Sequence, residues 1–237
     1  MTEIRKNCLD QWNAKMLQGA HYSKHDFPIF NGTTIIPKRL ISYAEAKTIY
    51  NKEIKYNPNF YYDAFVHTYI DDQHFDGKEN SIWLNPKQYL VIVKHFAGVI
   101  APDFSTNIDF PEPIKSFNIY RSRALGYFTS TNNIQTIHNA RWGYADSWEY
   151  CFDGIPKGSM VCIGTVASGL KKKCNRHLFE AGFLKLLDTI KPTTILVYGS
   201  SNYKCFNYAR SIGIQIITYE SSTNVAHRRA KESWANL

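Results

Sequence analysis

Six short runs rich in Val, Ile, Thr and Tyr, separated by longer stretches with helical periodicity, constrain this chain more than any other feature. The runs cover residues 65–70, 98–102, 134–138, 160–166, 194–198 and 214–219. Several are apolar almost without a break, the pattern of strands covered on both faces, as in a mainly parallel sheet. Between them, Tyr89, Leu90, Val93 and Phe96 share one helix face behind Asn85-Pro86, an N-cap followed by proline at the first helical position. Phe117, Tyr120, Ala124 and Phe128 fit a second face. Phe179, Phe183, Leu186, Leu187 and Ile190 fit a third, stopped by Lys191-Pro192. Strand and helix alternating in this way predict an α/β fold with a mainly parallel central sheet flanked by helices. Residues 1–60 are polar, rich in Tyr and Asn, and interrupted by Pro28, Pro37 and Pro58. They are expected to be an irregular N-terminal extension packed on the core, with residues 61–237 forming a single α/β domain.

The chain has 237 residues, 44% of them hydrophobic and 20% charged, which is enough to bury a sizeable core and excludes a disordered chain. No run of 18 apolar residues occurs and the first residues carry no apolar signal-peptide core, so a cytoplasmic protein with no membrane partner is expected. Five widely spaced cysteines without a C-x-x-C pair suit reduced thiols.

Lys and Arg total 28 against 20 Asp and Glu, a net charge of +8, and such an excess attracts polyanions by counterion release. DNA, held by sequence-independent backbone contacts, is the expected partner, with no obligate protein partner inferred. Basic residues cluster at Lys171, Lys172, Lys173 and Arg176, and again at Arg228, Arg229 and Lys231. A basic surface also serves solubility alone.

Several chemistries lack their recurrent devices. There is no G-x-x-x-x-G-K-[ST], no G-x-G-x-x-G after a strand, no H-E-x-x-H, no paired cysteines and no G-x-S-x-G. Cys174 and His177 alone do not make a metal site. Neither a cofactor nor a metal is expected.

Ligands of parallel sheets bind beyond the carboxyl ends of the strands, so the residues after each run are the candidates. Asp103 is the first choice, with Asp72 and Asn139 beside it as catalytic candidates, since a desolvated carboxylate activates water or stabilises a cationic transition state. Phe104 offers a ring to stack on. Ser105 and Asn107 offer groups that read the edge of a planar heterocycle. Trp142 is either a base platform or a turn anchor, and an Asp after a strand also serves as the N-cap of the next element. Arg121 falls inside the arc of Phe117, Ala124 and Phe128, so it is expected to be partly covered and to need an anion, either a phosphate or a strand-end carboxylate. Ser200 and Ser201 follow an apolar strand and offer backbone N–H groups to an anion; His227 and Arg228 complete the substrate-binding candidates.

The phrases Val99-Ile-Ala-Pro-Asp-Phe-Ser, Asn118-Ile-Tyr-Arg-Ser-Arg-Ala-Leu-Gly126, Trp142-Gly143, Cys151-Phe-Asp-Gly-Ile-Pro-Lys157 and Ile195-Leu-Val-Tyr-Gly199 occur here in that order. In them the chain resembles the domain-of-unknown-function family 4417 of phages and bacteria, over about residues 60–220. The resemblance implies a phage-associated or defence-associated setting and names no reaction. A weaker likeness is to the uracil-DNA glycosylase superfamily. It implies an acidic or amide-bearing loop, matched by Asp103 to Asn107, and a late DNA-gripping loop, matched by Ser221 to Arg228. The Gly-Gln-Asp-Pro-Tyr and His-Pro-Ser-Pro phrases of that superfamily are absent.

Together these features lead to the expectation of a cofactor-independent DNA glycosylase that extrudes a base and hydrolyses its N-glycosidic bond. The alternatives are a non-enzymatic DNA-binding protein of phage or plasmid replication or regulation, a nucleotide-binding enzyme or sponge, and a Mg-dependent nuclease using Asp71, Asp72, Asp103 and Asp109.

Overall fold

The computed structural model describes residues 7–166, 168–170 and 172–226. After the short antiparallel pair β1 (His21–Tyr22) and β2 (Pro28–Ile29) come β3 (Leu40–Ser42), α1 (Tyr43–Glu53), β4 (Tyr62–His67), α2 (Pro86–Val93) and β5 (Phe96–Ile100). The chain continues through α3 (Glu112–Thr131), β6 (Thr136–Asn139), α4 (Trp148–Cys151), β7 (Val161–Gly164), α5 (Arg176–Ile190), β8 (Thr194–Tyr198), α6 (Lys204–Ser211) and β9 (Gln215–Tyr219). Strands β3 to β9 form one seven-stranded sheet, parallel throughout, in which spatial order equals chain order.

All six expected strands are present. The seventh was not expected: Leu40–Ser42, within the polar stretch read as an extension, pairs with β4, and Ser42 caps the helix that follows by accepting from the Glu45 N–H. Residues before 60 therefore supply the first βα unit of the sheet as well as irregular segments. Helix α5 buries the five residues its periodicity marked and ends at Lys191, left-handed at φ 51° before Pro192. Helix α3 differs from expectation. Its buried face runs through Asn118, Ser122, Arg123, Gly126 and Thr129, while Phe117 stays exposed, because this helix holds loop carbonyls as well as apolar side chains.

Sequential order and right-handed crossovers place every connecting helix on one side of the sheet. The packing bears this out. Val66, Val99, Val161, Ile163, Ile195 and Val197 meet the helices, whereas Phe65, Ile100, Ile137, Cys162 and Leu196 meet one another. A parallel sheet with one face bare of helices hides that face by curling on itself, and each Phe, Ile or Leu so buried contributes about 1.5–3 kcal/mol. Across the interior, His67 of β4 lies 4.2 Å from Tyr198 of β8, ring centre to ring centre. The two edge strands approach: the Tyr219 hydroxyl donates to the Pro37 carbonyl at 2.6 Å, just ahead of β3. The outcome is a barrel-like curl of seven parallel strands joined by six helices. The five cysteines are free, three of them buried, and among the described residues no helix is long and apolar enough to cross a membrane.

Candidate functional site

Every strand of the curl points its carboxyl end at the same rim, so the loops following β4, β5, β6 and β7 meet there. They enclose a cavity of about 690 Å³. Asp71 and Asp72 reach it from β4, Asp103 and Asn107 from β5, Arg141 and Trp142 from β6.

Asp103 sits at the centre of the polar wall. One carboxylate oxygen accepts from Asn139 Nδ2 at 2.8 Å and the other from Arg141 Nη1 at 2.6 Å; its backbone N–H donates to Thr68 Oγ1 at 2.7 Å. Arg141 is held in turn by Nε donating to Thr106 at 3.0 Å. The Tyr69 hydroxyl donates to Asn139 Oδ1 at 2.9 Å, which fixes the amide so that its NH₂ faces Asp103. Both oxygens of Asp103 are therefore oriented, with 12% of its side chain exposed.

Asp72 is set differently. Its oxygens accept the Ser105 hydroxyl at 3.0 Å and the Ser105 N–H at 3.3 Å, yet burial outweighs these bonds and raises its pKa above that of a free carboxyl. Ser105 is anchored from behind, its carbonyl accepting from Asn118, whose Oδ1 accepts from Arg121. Two carboxyl groups thus share one cavity in different surroundings, one paired with a guanidinium and an amide, the other held by a hydroxyl and a backbone N–H.

The floor is aromatic. Tyr69 stacks on Tyr198 with ring centres 5.3 Å apart and planes 15° from parallel. Trp142 forms a side wall, packed on Phe179 at 4.8 Å and pressed onto Gly182. Beneath the floor, His67 Nδ1 accepts from the Tyr69 N–H at 3.0 Å, and burial lowers the pKa of this ring to about 3, leaving it neutral. Burial pushes the Cys162 thiol under Tyr69 up to about 12.

Of the sequence candidates, Asp103, Asp72, Asn139, Ser105, Asn107 and Trp142 come together at this rim. Others are placed elsewhere. Phe104 is 2% exposed and packs against Phe75 and under the Arg121 guanidinium, so it cannot stack on a substrate; Asp103 and Ser105 face the cavity and the residue between them faces the helices. Arg121 has a carboxylate partner, as expected of a covered guanidinium, but it is Asp76, at 2.7 Å, within the connection from β4 to α2 and not at the strand end itself. Asn139 has both ends of its amide engaged within the wall, and so supports Asp103 instead of reading a base. Ser200 and Ser201 are outside the cavity lining. The Ser200 N–H is given to Thr165, so it is not offered to an anion, and the Ser201 hydroxyl meets Thr218. His227 and Arg228 lie outside the described residues, as does Lys171. Asp109 is exposed and does not line the cavity, and among the described residues no three metal-ligating side chains gather, so the four-aspartate cluster is not formed.

Sequence reasoning missed Tyr69, Thr68, Thr106, Arg141 and Tyr198. Arg141 had a signal, its place three residues after His138 in a strand-end phrase, whereas Tyr69 lies inside the expected strand run 65–70, which the structure ends at His67. One further group organises the site from outside. Arg123, 1% exposed, donates from the helix layer to the carbonyls of Asn139, Cys151 and Asp153 at 3.0, 2.9 and 3.0 Å.

Fold and site define a curled parallel α/β protein with a carboxylate-bearing basin at the carboxyl end of its strands. The chain belongs to the family described as Domain of unknown function (DUF4417), whose model matches residues 20–220. It is similar to the Gene 1 protein of Mycobacterium phage D29, 34% identical over 139 residues, which are 58% of this chain and 49% of that one. It is similar also to the Gene 1 protein of Mycobacterium phage L5, 34% identical over 135 residues, 56% of each chain. The chain spans about half the length of the curated relatives it matches. These phage relatives agree with the setting the sequence resemblance implied; nothing in the comparisons extends the likeness to uracil-DNA glycosylases. No solved structure matches.

Proposed function

We propose that the protein hydrolyses an N-glycosidic bond in DNA, taking an extruded base into the basin. The observation that carries this reading is the pair Asp72 and Asp103: two carboxyl groups on neighbouring strand-end loops, one braced by Arg141 and Asn139, the other with a pKa that burial raises above the usual carboxyl value. Asp72 delivers its proton to a ring nitrogen or carbonyl of the departing base, which leaves with the bonding electrons. Asp103 faces the positive charge that develops on the sugar, and water then adds to the anomeric carbon and gives up one proton to Asp103, leaving a hydroxyl on the sugar. The planar base rests on Tyr69 and against Trp142, the role that Phe104 cannot fill. A cavity of about 690 Å³ lies in the range used for small organic ligands. Lys172 and Lys173 are exposed on the loop after β7, next to Asn175 on the cavity wall, and a net charge of +8 favours a polyanion.

The test is to incubate the protein with unmodified and phage-type modified DNA, with and without EDTA, then to assay released base by chromatography and abasic sites by alkali. Released base and alkali-labile sites that persist in EDTA are expected. No abasic site in any DNA, together with unchanged DNA affinity on Asp103→Asn, would assign the protein to DNA binding without chemistry. Strand breaks that EDTA abolishes would assign it to the nucleases.

A further inference from the structure

We infer that the DNA reaches the basin as a single strand and not as a duplex, an inference that rests on the reading of the basin as a base pocket. Two features of the cavity mouth carry it, one of charge and one of surface. Loops from opposite sides of the curl flank the mouth, since the Tyr69 ring leaves the end of β4 and crosses the interior to lie on Gly164 at the end of β7. On the side of β4 and β5 the mouth is acidic. Asp71, Asp72 and Asp103 stand on the cavity wall, Asp109 is exposed beyond them, and residues 101–111 contain no Lys or Arg. On the side of β7 the sign is reversed. Lys172 and Lys173 are exposed between Gly169 and Asn175, which both line the cavity, and residues 165–175 contain no Asp or Glu.

A phosphate backbone is attracted to one side of such a mouth and repelled by the other. A single strand has one backbone, which can follow the lysines while a base turns in toward Tyr69. A duplex presenting the same base would bring its second backbone across the mouth to the acidic loops. The surface of the mouth favours the same substrate. Ile108, Tyr144 and Val166, from the loops after β5, β6 and β7, line the cavity and are 56%, 40% and 39% exposed. Two aliphatic side chains and a ring held in water around one opening gain by covering the faces of bases. In a duplex those faces are stacked on one another, and only base edges and backbone are on offer. In a single strand the bases flanking the one in the basin are free to lie on Tyr144 and against Ile108 and Val166.

Binding of the full chain to a labelled oligonucleotide, alone or annealed to its complement, is to be followed by fluorescence anisotropy over a series of salt concentrations, and released base assayed from both forms. The single strand is expected to bind tighter by roughly tenfold or more. Lys172→Gln combined with Lys173→Gln is expected to reduce the slope of log affinity against log salt on the single strand by roughly one. Tyr144→Ala is expected to weaken the single strand roughly tenfold while duplex affinity hardly moves. Tighter single-strand binding without released base from either form would uphold the preference and overturn the hydrolase reading. Release from the duplex at an equal or higher rate would uphold the reaction and overturn the preference. Equal affinity for the two forms, tighter binding to the duplex, or binding to neither overturns the preference as well. Single-strand affinity that none of these substitutions lowers overturns the placement of the strand at this mouth.

Discussion

The ring of Tyr69 lies on the bare Cα of Gly164, so close that a Cβ there would stand 2.9 Å from Tyr69 Cδ1. Tyr69 leaves the end of β4 and reaches across the interior to β7, which lets its hydroxyl hold Asn139 while its face meets Tyr198. Gly164→Ala is expected to push this ring off its place. Overpacking of this kind costs about 1–3 kcal/mol, and ligand affinity should fall more than stability does. Thermal unfolding and nucleoside calorimetry on the same variant make the comparison; unchanged affinity would show that Tyr69 is not part of the floor.

Asp103 and Arg141 form an ion pair on a cavity wall, with 12% and 27% of their side chains exposed. A double-mutant cycle on Asp103→Asn and Arg141→Gln should give a coupling energy on the order of 1 kcal/mol in urea unfolding. Arg141→Lys should not restore activity, because an ammonium cannot span Thr106 and Asp103 as the planar fork does.

Arg123 is the costliest single side chain to remove among those discussed. Arg123→Met leaves three carbonyls without their donor and is expected to lower stability by roughly 3–5 kcal/mol, read from the urea midpoint at constant slope. Burial lowers the pKa of this guanidinium to about 10, still far above neutrality, so the loss should not depend on pH near 7.

His67 and His138 make stability acid-sensitive. Burial lowers each from 6.5 to about 3, so between these values the unfolded chain takes up protons that the folded chain refuses. Their contribution is whole above about pH 6.5 and is lost as pH falls toward 3, on the order of a few kcal/mol for each ring. His67→Asn keeps an acceptor for the Tyr69 N–H but cannot titrate, and should flatten the slope of unfolding free energy against pH over this range. An unaltered slope would contradict a neutral buried His67.

Asp72 has the opposite sign. Its pKa is raised in the folded state, so its contribution is fully present below the ordinary carboxyl value of 3.8 and is lost as pH rises through the elevated one. At neutral pH the charged group opposes folding. Asp72→Asn should therefore raise the melting temperature at pH 7 while removing activity, and the wild-type rate should decline as pH rises through the titration of this group. A variant that melts lower at pH 7 would show that the charged carboxylate stabilises the fold there.

The sheet was legible in the sequence because strands buried on both faces need apolar residues at consecutive positions, which several of the seven have, and the other expected runs are rich in Val, Ile, Thr and Tyr. The strand Leu40–Ser42 escaped because a three-residue edge strand is too short to leave a pattern. At the site, strand ends pointed to Asp72, Asp103 and Asn139 without revealing which way each side chain faces. Phe104 was misassigned for that reason: alternation along 103–105 sends the two polar groups to the cavity and the ring to the helices. Arg141 and Tyr69 were passed over because an arginine or tyrosine after a strand carries no mark of its partner, and theirs come from strands far off in the chain.

The correspondence between order along the chain and order across the sheet bears on how the molecule is made. Each strand docks beside its predecessor, so the sheet can lengthen from one side as the polypeptide emerges, without any strand waiting for a neighbour yet to be synthesised. The meeting of Tyr219 with Pro37 joins residues from opposite ends of that process. Closing this seam, and not pairing the strands, is then the late event of folding.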